Sequence, residues 1–211
     1  YASYAFTDAA AEFAVLDGTL NVYPTADCSI VNPNVPLTVN GGDVVFHAGA
    51  FTCVADELVL LAGSLTVDAG ATLQVTDATT LSGTVGTATL TVDGTLRLEA
   101  AFALAGARVD GAAGGLVNVT AGTTWTWSAG LLAGSGLEVA VRPGATLELA
   151  GDSDSEVLAL DEDVSLLIEG LALWSEGDVA IAAASAAPIR VARSGTLRVT
   201  GGGAPAALHN H

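Results

Sequence analysis

Lysine and methionine are absent from this chain of 211 residues, and only 14% of its residues are charged. All 6 basic residues are therefore arginines, against 23 acidic residues, and the formal net charge is −17. Nucleic acids and anionic lipid surfaces attract proteins mainly through positive charge, so this balance disfavours both as partners. The acidity suits solubility, divalent cations such as calcium, or a saline environment.

Long apolar runs are also missing. None approaches the roughly 20 residues that a membrane-spanning helix needs, so we expect no membrane insertion. The first residues, Tyr1 to Asp8, contain neither a methionine nor a basic region, so they are not an intact signal peptide. We therefore expect the chain to be a processed product or part of a longer polypeptide.

What the chain has in abundance is apolar sequence with glycine: 51% hydrophobic residues and 25 glycines, which argues against disorder. The stretch from Leu65 to Val75 typifies it. Two short segments, each with two apolar residues flanking a polar one, are joined by a corner that contains Asp68 and Gly70. This alternation is typical of half-buried strands. Variants recur at 90–98, 137–149 and 189–199.

The recurrence has a period of about 24 residues, within the range of repeat architectures. We aligned the last apolar residue of each first strand at Val22, Val45, Val67, Val92, Val119, Val141, Ile168 and Val191. A column of glycines falls between first and second strands, at Gly49, Gly70, Gly94, Gly122, Gly144, Gly170 and Gly195. Such a column predicts corners where φ is positive or where neighbouring coils approach closely. A period of this length indicates stacked coils rather than propeller blades, which need about 40 residues each.

The sequence therefore predicts an all-β fold. We expect a single-stranded parallel β-helix (β-solenoid), right-handed, with about eight coils of about 24 residues and three short strands per coil. Residues 1–18 would form an N-terminal capping or docking segment, 19–203 the solenoid, and 204–211 a tail or linker. Within 1–18, the segment 9–16 fits either a short helix or an extended strand. Trp125 and Trp127 align with core positions and are expected to face inward.

The repeats resemble the β-helical repeats of large bacterial adhesins, autotransporter passengers and related surface proteins. The segment 124–139, with Trp127, Gly130, Gly134 and Gly136 in its turn, carries that resemblance most clearly. The resemblance covers about residues 19–200, and it implies an extracellular, structural or adhesive role.

Cys28 and Cys53 lie one repeat apart in the sequence. Stacked positions in neighbouring coils have Cα atoms about 4.8 Å apart, a span that a disulfide can bridge. The spacing therefore predicts a Cys28–Cys53 disulfide, the alternative being two buried free thiols.

Candidate sites for other chemistry are few. Asp152, Asp154, Glu156, Asp161 and Asp163 supply oxygen ligands suited to calcium, but a solvated acidic loop is the preferred interpretation. No other cofactor or metal site is expected. His47 is expected at a solvent-facing corner with no catalytic partner in register, and His209 and His211 lie in a polar tail.

The leading hypothesis for function is a non-enzymatic extracellular structural protein: a surface filament subunit, an adhesin segment or a spacer. No residue is expected to be catalytic. The alternatives are a carbohydrate-active β-helix enzyme, such as a polysaccharide lyase or glycosidase, and a glycan-binding module.

Asn118 begins an N-glycosylation sequon. Tyr1, Tyr4 and Phe6 are expected to dock on a neighbour, because the C-terminal tail looks too small to cover a terminal coil. We therefore expect the chain to associate head to tail with other copies or to be part of a longer polypeptide. Surface glycans are expected as further partners.

Overall fold

The structure, a computed structural model, describes residues 13–24, 28–30, 36–49, 52–151, 158–161, 163–176, 179–181, 189–200 and 208–210. All regular structure in these ranges is β, and they contain no helix. The strands form one 14-stranded sheet and one 8-stranded sheet, and every pairing between strands is parallel. The predicted parallel β-solenoid is thus confirmed. Its handedness stays a prediction.

Each coil contributes a strand to three faces, which we call face 1, face 2 and face 3 in chain order. Four long strands run from face 1 onto face 2: β4 (Leu37–Phe46), β6 (Leu58–Val67), β11 (Phe102–Asp110) and β13 (Thr124–Leu132). Face 1 also contains β1 (Phe13–Val15), β8 (Thr79–Ser82), β15 (Thr146–Ala150), β18 (Leu171–Glu176) and β21 (Thr196–Val199). Face 2 also contains β2 (Thr19–Val22), β9 (Ala88–Val92), β16 (Leu158–Leu160), β19 (Val179–Ile181) and β22 (Leu208–Asn210).

Face 3 is the 8-stranded sheet. Its strands are β3 (Cys28–Ile30), β5 (Cys53–Ala55), β7 (Thr72–Val75), β10 (Thr95–Leu98), β12 (Leu116–Val119), β14 (Glu138–Val141), β17 (Ser165–Ile168) and β20 (Ile189–Val191). One residue of each face 3 strand aligns in a continuous column that runs from Cys28 to Ile189. Successive members of this column are on average about 23 residues apart in the sequence, a length typical of solenoid repeats. The predicted period is therefore close to the observed one.

The core lies inside the three faces and is built from the alternating apolar positions of each strand. In β7, for example, Leu73 and Val75 are fully buried while the residue between them is only half-buried. Trp125 and Trp127 are also fully buried, as predicted, and their rings stack with centroids 5.7 Å apart. One coil cannot enclose such side chains alone, so stacking buries them against the coils on either side.

Glycines form the corner between face 1 and face 2. The long strands bend at Gly41, Gly63, Gly106 and Gly130, where φ is +112°, +86°, +118° and +107°. L-residues with a side chain rarely adopt such values. A Cβ on Gly106 would also lie against the carbonyl oxygen of Gly83 in the preceding coil. Glycine therefore permits both the bend and the close spacing of coils here.

The glycine column predicted from the sequence serves the corners on either side of face 3, for two different reasons. Gly70, Gly122 and Gly144 have positive φ. At the others a Cβ would meet a backbone carbonyl of the preceding coil: Gly49, Gly94, Gly170 and Gly195. Both physical explanations offered for the column are confirmed.

The sequence alignment of strands, by contrast, was wrong in two respects: it changes face between Val92 and Val119, and it treats Val45 as an inward residue. Val92 ends a face 2 strand, whereas Val119 ends a face 3 strand. Phe46, rather than Val45, is the inward residue in register with Val22. The cause is that inward columns on all three faces carry the same apolar pairs, so the pattern alone does not identify the face.

Paired strands occur outside the range 19–203. Phe13–Val15 pairs with the start of β4, and Leu208–Asn210 pairs with β19. The described end of the segment 9–16 is therefore a strand, which was one of its two predicted forms.

Candidate functional site

A polar cluster joins the first three coils at the corner that follows face 2. The imidazole of His47 lies between two side chains: Nδ1 is 2.6 Å from Asp68 Oδ2, and Nε2 is 2.8 Å from Asn21 Oδ1. The ring of Tyr23 stacks on the imidazole, with centroids 4.2 Å apart and 12° between the planes. His47 is thus fixed by the coil before it and the coil after it.

The register of face 2 brings these residues together. Tyr23, His47 and Asp68 each follow the end of a consecutive face 2 strand, so they stack at the coil spacing of about 4.8 Å. The backbone N–H of His47 donates to the carbonyl of Val22 at 2.9 Å, and that of Asp68 donates to Phe46 at 2.9 Å. These bonds extend the sheet ladder by one residue into the corner.

The expectation for His47 was wrong in one respect, because this residue has a carboxylate partner in register. Its side chain lies at a corner, as expected, and is 26% exposed. In the alignment of Val45 with Val67, His47 falls opposite Ala69 instead of Asp68. Placing Phe46 in that column shifts His47 by one residue and aligns it with Asp68. The sequence feature that could have revealed this pairing is the apolar residue directly before His47 and directly before Asp68.

A histidine paired with a carboxylate is a common general acid–base arrangement. Here both ring nitrogens contact side-chain oxygens, which is the geometry of a clamp between coils. Tyr23 is 63% exposed, so one face of its ring is open to solvent. Among the described residues, no group of three or more His, Cys, Asp or Glu side chains is arranged to hold a metal ion.

A second polar ladder runs along the outside of face 3. Arg142 Nε donates to Asn118 Oδ1 at 2.8 Å, and Arg142 Nη1 donates to Glu169 Oε2 at 3.0 Å. All three side chains are half-buried. N-glycosylation would attach at Asn118 Nδ2, whereas the bond from Arg142 is accepted by Oδ1. Glycosylation at this sequon stays a prediction.

The predicted calcium ligands fall mostly outside the described residues. Asp152, Asp154 and Glu156 lie there, so their arrangement is not described. Asp161 follows β16, and its backbone N–H donates to the carbonyl of Leu132 at 2.9 Å. Asp163 is exposed. The calcium site therefore stays a prediction.

The two cysteines stand opposite one another in the first pair of face 3 strands. The register pairs Cys28 with Cys53, and Cys53 is 1% exposed. Cys53 belongs to an inward column, since the next member is the buried Leu73. The placement satisfies the spacing requirement of the predicted disulfide, and the bond itself stays a prediction.

Two shallow grooves lie on the surface. One, of about 350 Å³, is lined by small and apolar residues such as Gly106, Gly130 and Leu131. The other, of about 420 Å³, contains a single carboxylate, Glu169, which is paired with Arg142. Neither groove brings two carboxylates together.

The last coil differs from the others. Val191, Leu197 and Val199 continue inward columns, but they are 44%, 40% and 57% exposed. Arg190 and Arg198 are exposed beside them. The expected docking residues Tyr1, Tyr4 and Phe6 lie outside the described residues.

Comparison of the chain with protein-family models, curated proteins and solved structures finds no match. A search of the described residues for a helix long and apolar enough to cross a membrane finds none.

Proposed function

We propose that this chain is a non-enzymatic, extracellular structural protein: a rigid β-solenoid that serves as a spacer, an adhesin segment or a subunit of a surface filament. The observation that carries the proposal is the unbroken face 3 ladder, in which each strand pairs with the next from β3 to β20. Eight strands at about 4.8 Å make a rod about 40 Å long. Hydrogen bonds between every pair of coils resist bending of such a rod.

The outward columns support a structural role over a carbohydrate-active enzyme. Glycosidases need two carboxylates at a defined separation across the substrate. The central outward column of face 3 contains no carboxylate and runs Val54, Gln74, Arg97, Asn118, Ala140, Leu167 and Arg190. The corresponding column of face 1 has one, Glu148, between Thr126 and Leu173.

An extracellular setting is supported by the register of Cys28 with Cys53, which permits a disulfide, because disulfides persist mainly in oxidising compartments. The sequon at Asn118 and the resemblance to surface-protein repeats point the same way. As partners we propose other copies of the chain or the rest of a longer polypeptide, meeting the solenoid at its ends. Nucleic acids and membranes are not among the proposed partners, given the charge of −17.

The test combines shape and turnover. Small-angle X-ray scattering of the purified chain should give an elongated particle about as long as the coil stack. Incubation with acidic and neutral polysaccharides should release no new reducing ends and no unsaturated sugars. Release of either product at a rate that scales with protein concentration would refute the non-enzymatic proposal.

A glycan-binding module is the second candidate, and Tyr23 favours it. Its exposed ring is held in place by His47, and sugars stack readily on exposed, fixed aromatic rings. Binding to a glycan array that is lost in Tyr23→Ala and kept in Tyr23→Phe would support this role. Equal binding by both variants would exclude Tyr23 as the site.

A further inference from the structure

Charge is distributed unevenly along the axis of the solenoid. Residues 1–96 contain 10 acidic residues and no arginine, a net charge of −10. Residues 97–178 contain 13 acidic residues and 3 arginines, which is also −10. Residues 179–211 contain 3 arginines and no acidic residue, so this end alone is +3. A molecule with a net charge of −17 therefore has one positive end.

The positive end is also the apolar one. Arg193 and Arg198 are exposed on the last coil, and Arg190, which is exposed on β20, pairs with Glu138 at 3.4 Å. Leu197 is 40% exposed, whereas Ala172, one rung earlier in its column, is fully buried. Val199 is 57% exposed, against 7% for Trp174 before it. Strand β21 pairs with β18, and in the described part of the chain its other edge has no partner.

The opposite end has complementary features. Strand β1 pairs with β4, and its other edge has no partner among the described residues. Leu16 and Tyr23 are 64% and 63% exposed there. Asp17 is exposed beside Leu16, and Asp43 is exposed on the next coil.

We propose that two copies of this chain dock head to tail, the basic last coil of one against the acidic first coil of the next. This inference rests on the proposed structural function and names its partner as a second copy. Strand β21 of one copy adds in parallel to β1 of the neighbour, which continues the face 1 ladder across the junction. Open strand edges and exposed apolar rungs drive the contact. The charges select its polarity, since head-to-head contact would oppose two acidic ends.

Because each junction joins two different surfaces, it is heterologous and leaves a free end on either side. Association is therefore expected to continue into linear chains rather than to stop at a dimer. Repulsion between acidic bodies disfavours side-by-side contact, so growth is expected along the axis.

The experiment is sedimentation velocity on the full chain over a range of concentrations, with charge-reversed variants. Arg193→Glu/Arg198→Glu makes both ends acidic, and Asp17→Arg weakens the acidity of the first coil. Each variant is expected to associate at least about tenfold more weakly than the original chain. An equimolar mixture of the two should associate more strongly than either alone, because each supplies the end that the other has lost.

Arg97→Glu is the matched control. Arg97 is an exposed arginine in the middle of face 3, so its reversal changes the net charge without touching either end. Circular dichroism confirms that each variant is folded, and Arg198→Gln replaces the double reversal if that variant does not fold. Equal weakening by Arg97→Glu, or no rescue in the mixture, would overturn the head-to-tail polarity.

The outcomes separate this inference from the function on which it rests. A chain that stays monomeric at all concentrations, yet scatters as a rod and degrades no polysaccharide, overturns the docking while the structural role stands. A chain that associates with the expected charge dependence and also degrades a polysaccharide supports the docking and overturns the non-enzymatic role.

Discussion

Replacing Thr79 with valine is expected to stabilise the solenoid. Thr79 lies in an inward column of face 1, between Leu58 and Phe102, and is 1% exposed. Its Oγ1 atom is buried and has no hydrogen-bond partner in the described part of the chain. Valine has nearly the same shape and replaces this hydroxyl with a methyl group.

The expected gain follows from the polar atom that is removed. A buried hydroxyl without a partner costs about 1–3 kcal/mol of desolvation free energy, and burying one additional apolar carbon contributes about 0.8 kcal/mol. Part of this is offset by imperfect packing of the new methyl group, so we expect Thr79→Val to raise the free energy of unfolding by about 1–2 kcal/mol.

Thr123 provides a control of opposite sign. It is also 1% exposed, but its hydroxyl donates to the carbonyl oxygen of Leu98 at 3.3 Å. Thr123→Val removes this bond, and the Leu98 carbonyl keeps its two bonds from Thr120, so the substitution should lower the free energy of unfolding by at most about 1 kcal/mol. Guanidinium denaturation followed by circular dichroism measures both. If Thr79→Val destabilises as much as Thr123→Val does, the Thr79 hydroxyl is bonded and the reasoning is refuted.

Three further predictions concern the corners and the first coils. A Cys28–Cys53 disulfide should leave no alkylatable thiol in denatured, unreduced protein, and its loss should cost roughly 3 kcal/mol; two labelled cysteines would reject it. Gly106→Ala should lower the unfolding free energy by more than about 2 kcal/mol, while Gly86→Ala, where a Cβ meets nothing within 4 Å, should change it by less than about 1 kcal/mol. His47→Ala should speed hydrogen exchange of the β2 amides by about tenfold through loss of two hydrogen bonds, and unchanged exchange would show that the clamp contributes nothing.

The architecture was predictable because every coil of a solenoid must bury the same inward positions. Leu73 and Val75 illustrate this: each coil must present apolar pairs inward, and the same spacing recurs one coil later at Leu96 and Leu98. Cys28 and Cys53 were placed correctly for the same reason, since their register continues such a column. Repetition revealed the period even where the face was misassigned.

The same repetition hid the polar cluster. Val44, Val45 and Phe46 are three consecutive apolar residues, so either Val45 or Phe46 could be assigned as the inward residue. The wrong choice shifts the predicted register of every following residue by one position. His47 was therefore separated from Asp68, its neighbour in space. The exposed last coil and the unpartnered Thr79 hydroxyl depend on what covers each side chain in three dimensions, which no local pattern contains.

The constant register of face 3 has a mechanical consequence. Each coil is held to the body by its contacts with one preceding coil, so a force applied to the end of the chain peels off one coil before it loads the next. Every such step releases one repeat of about 23 residues. At roughly 3.4 Å per extended residue, less one coil spacing, the chain lengthens by roughly 70–75 Å each time. Pulled from its last coil, this rod would yield as a series of equal, small extensions rather than as a single rupture, dissipating load while most of its length stayed folded.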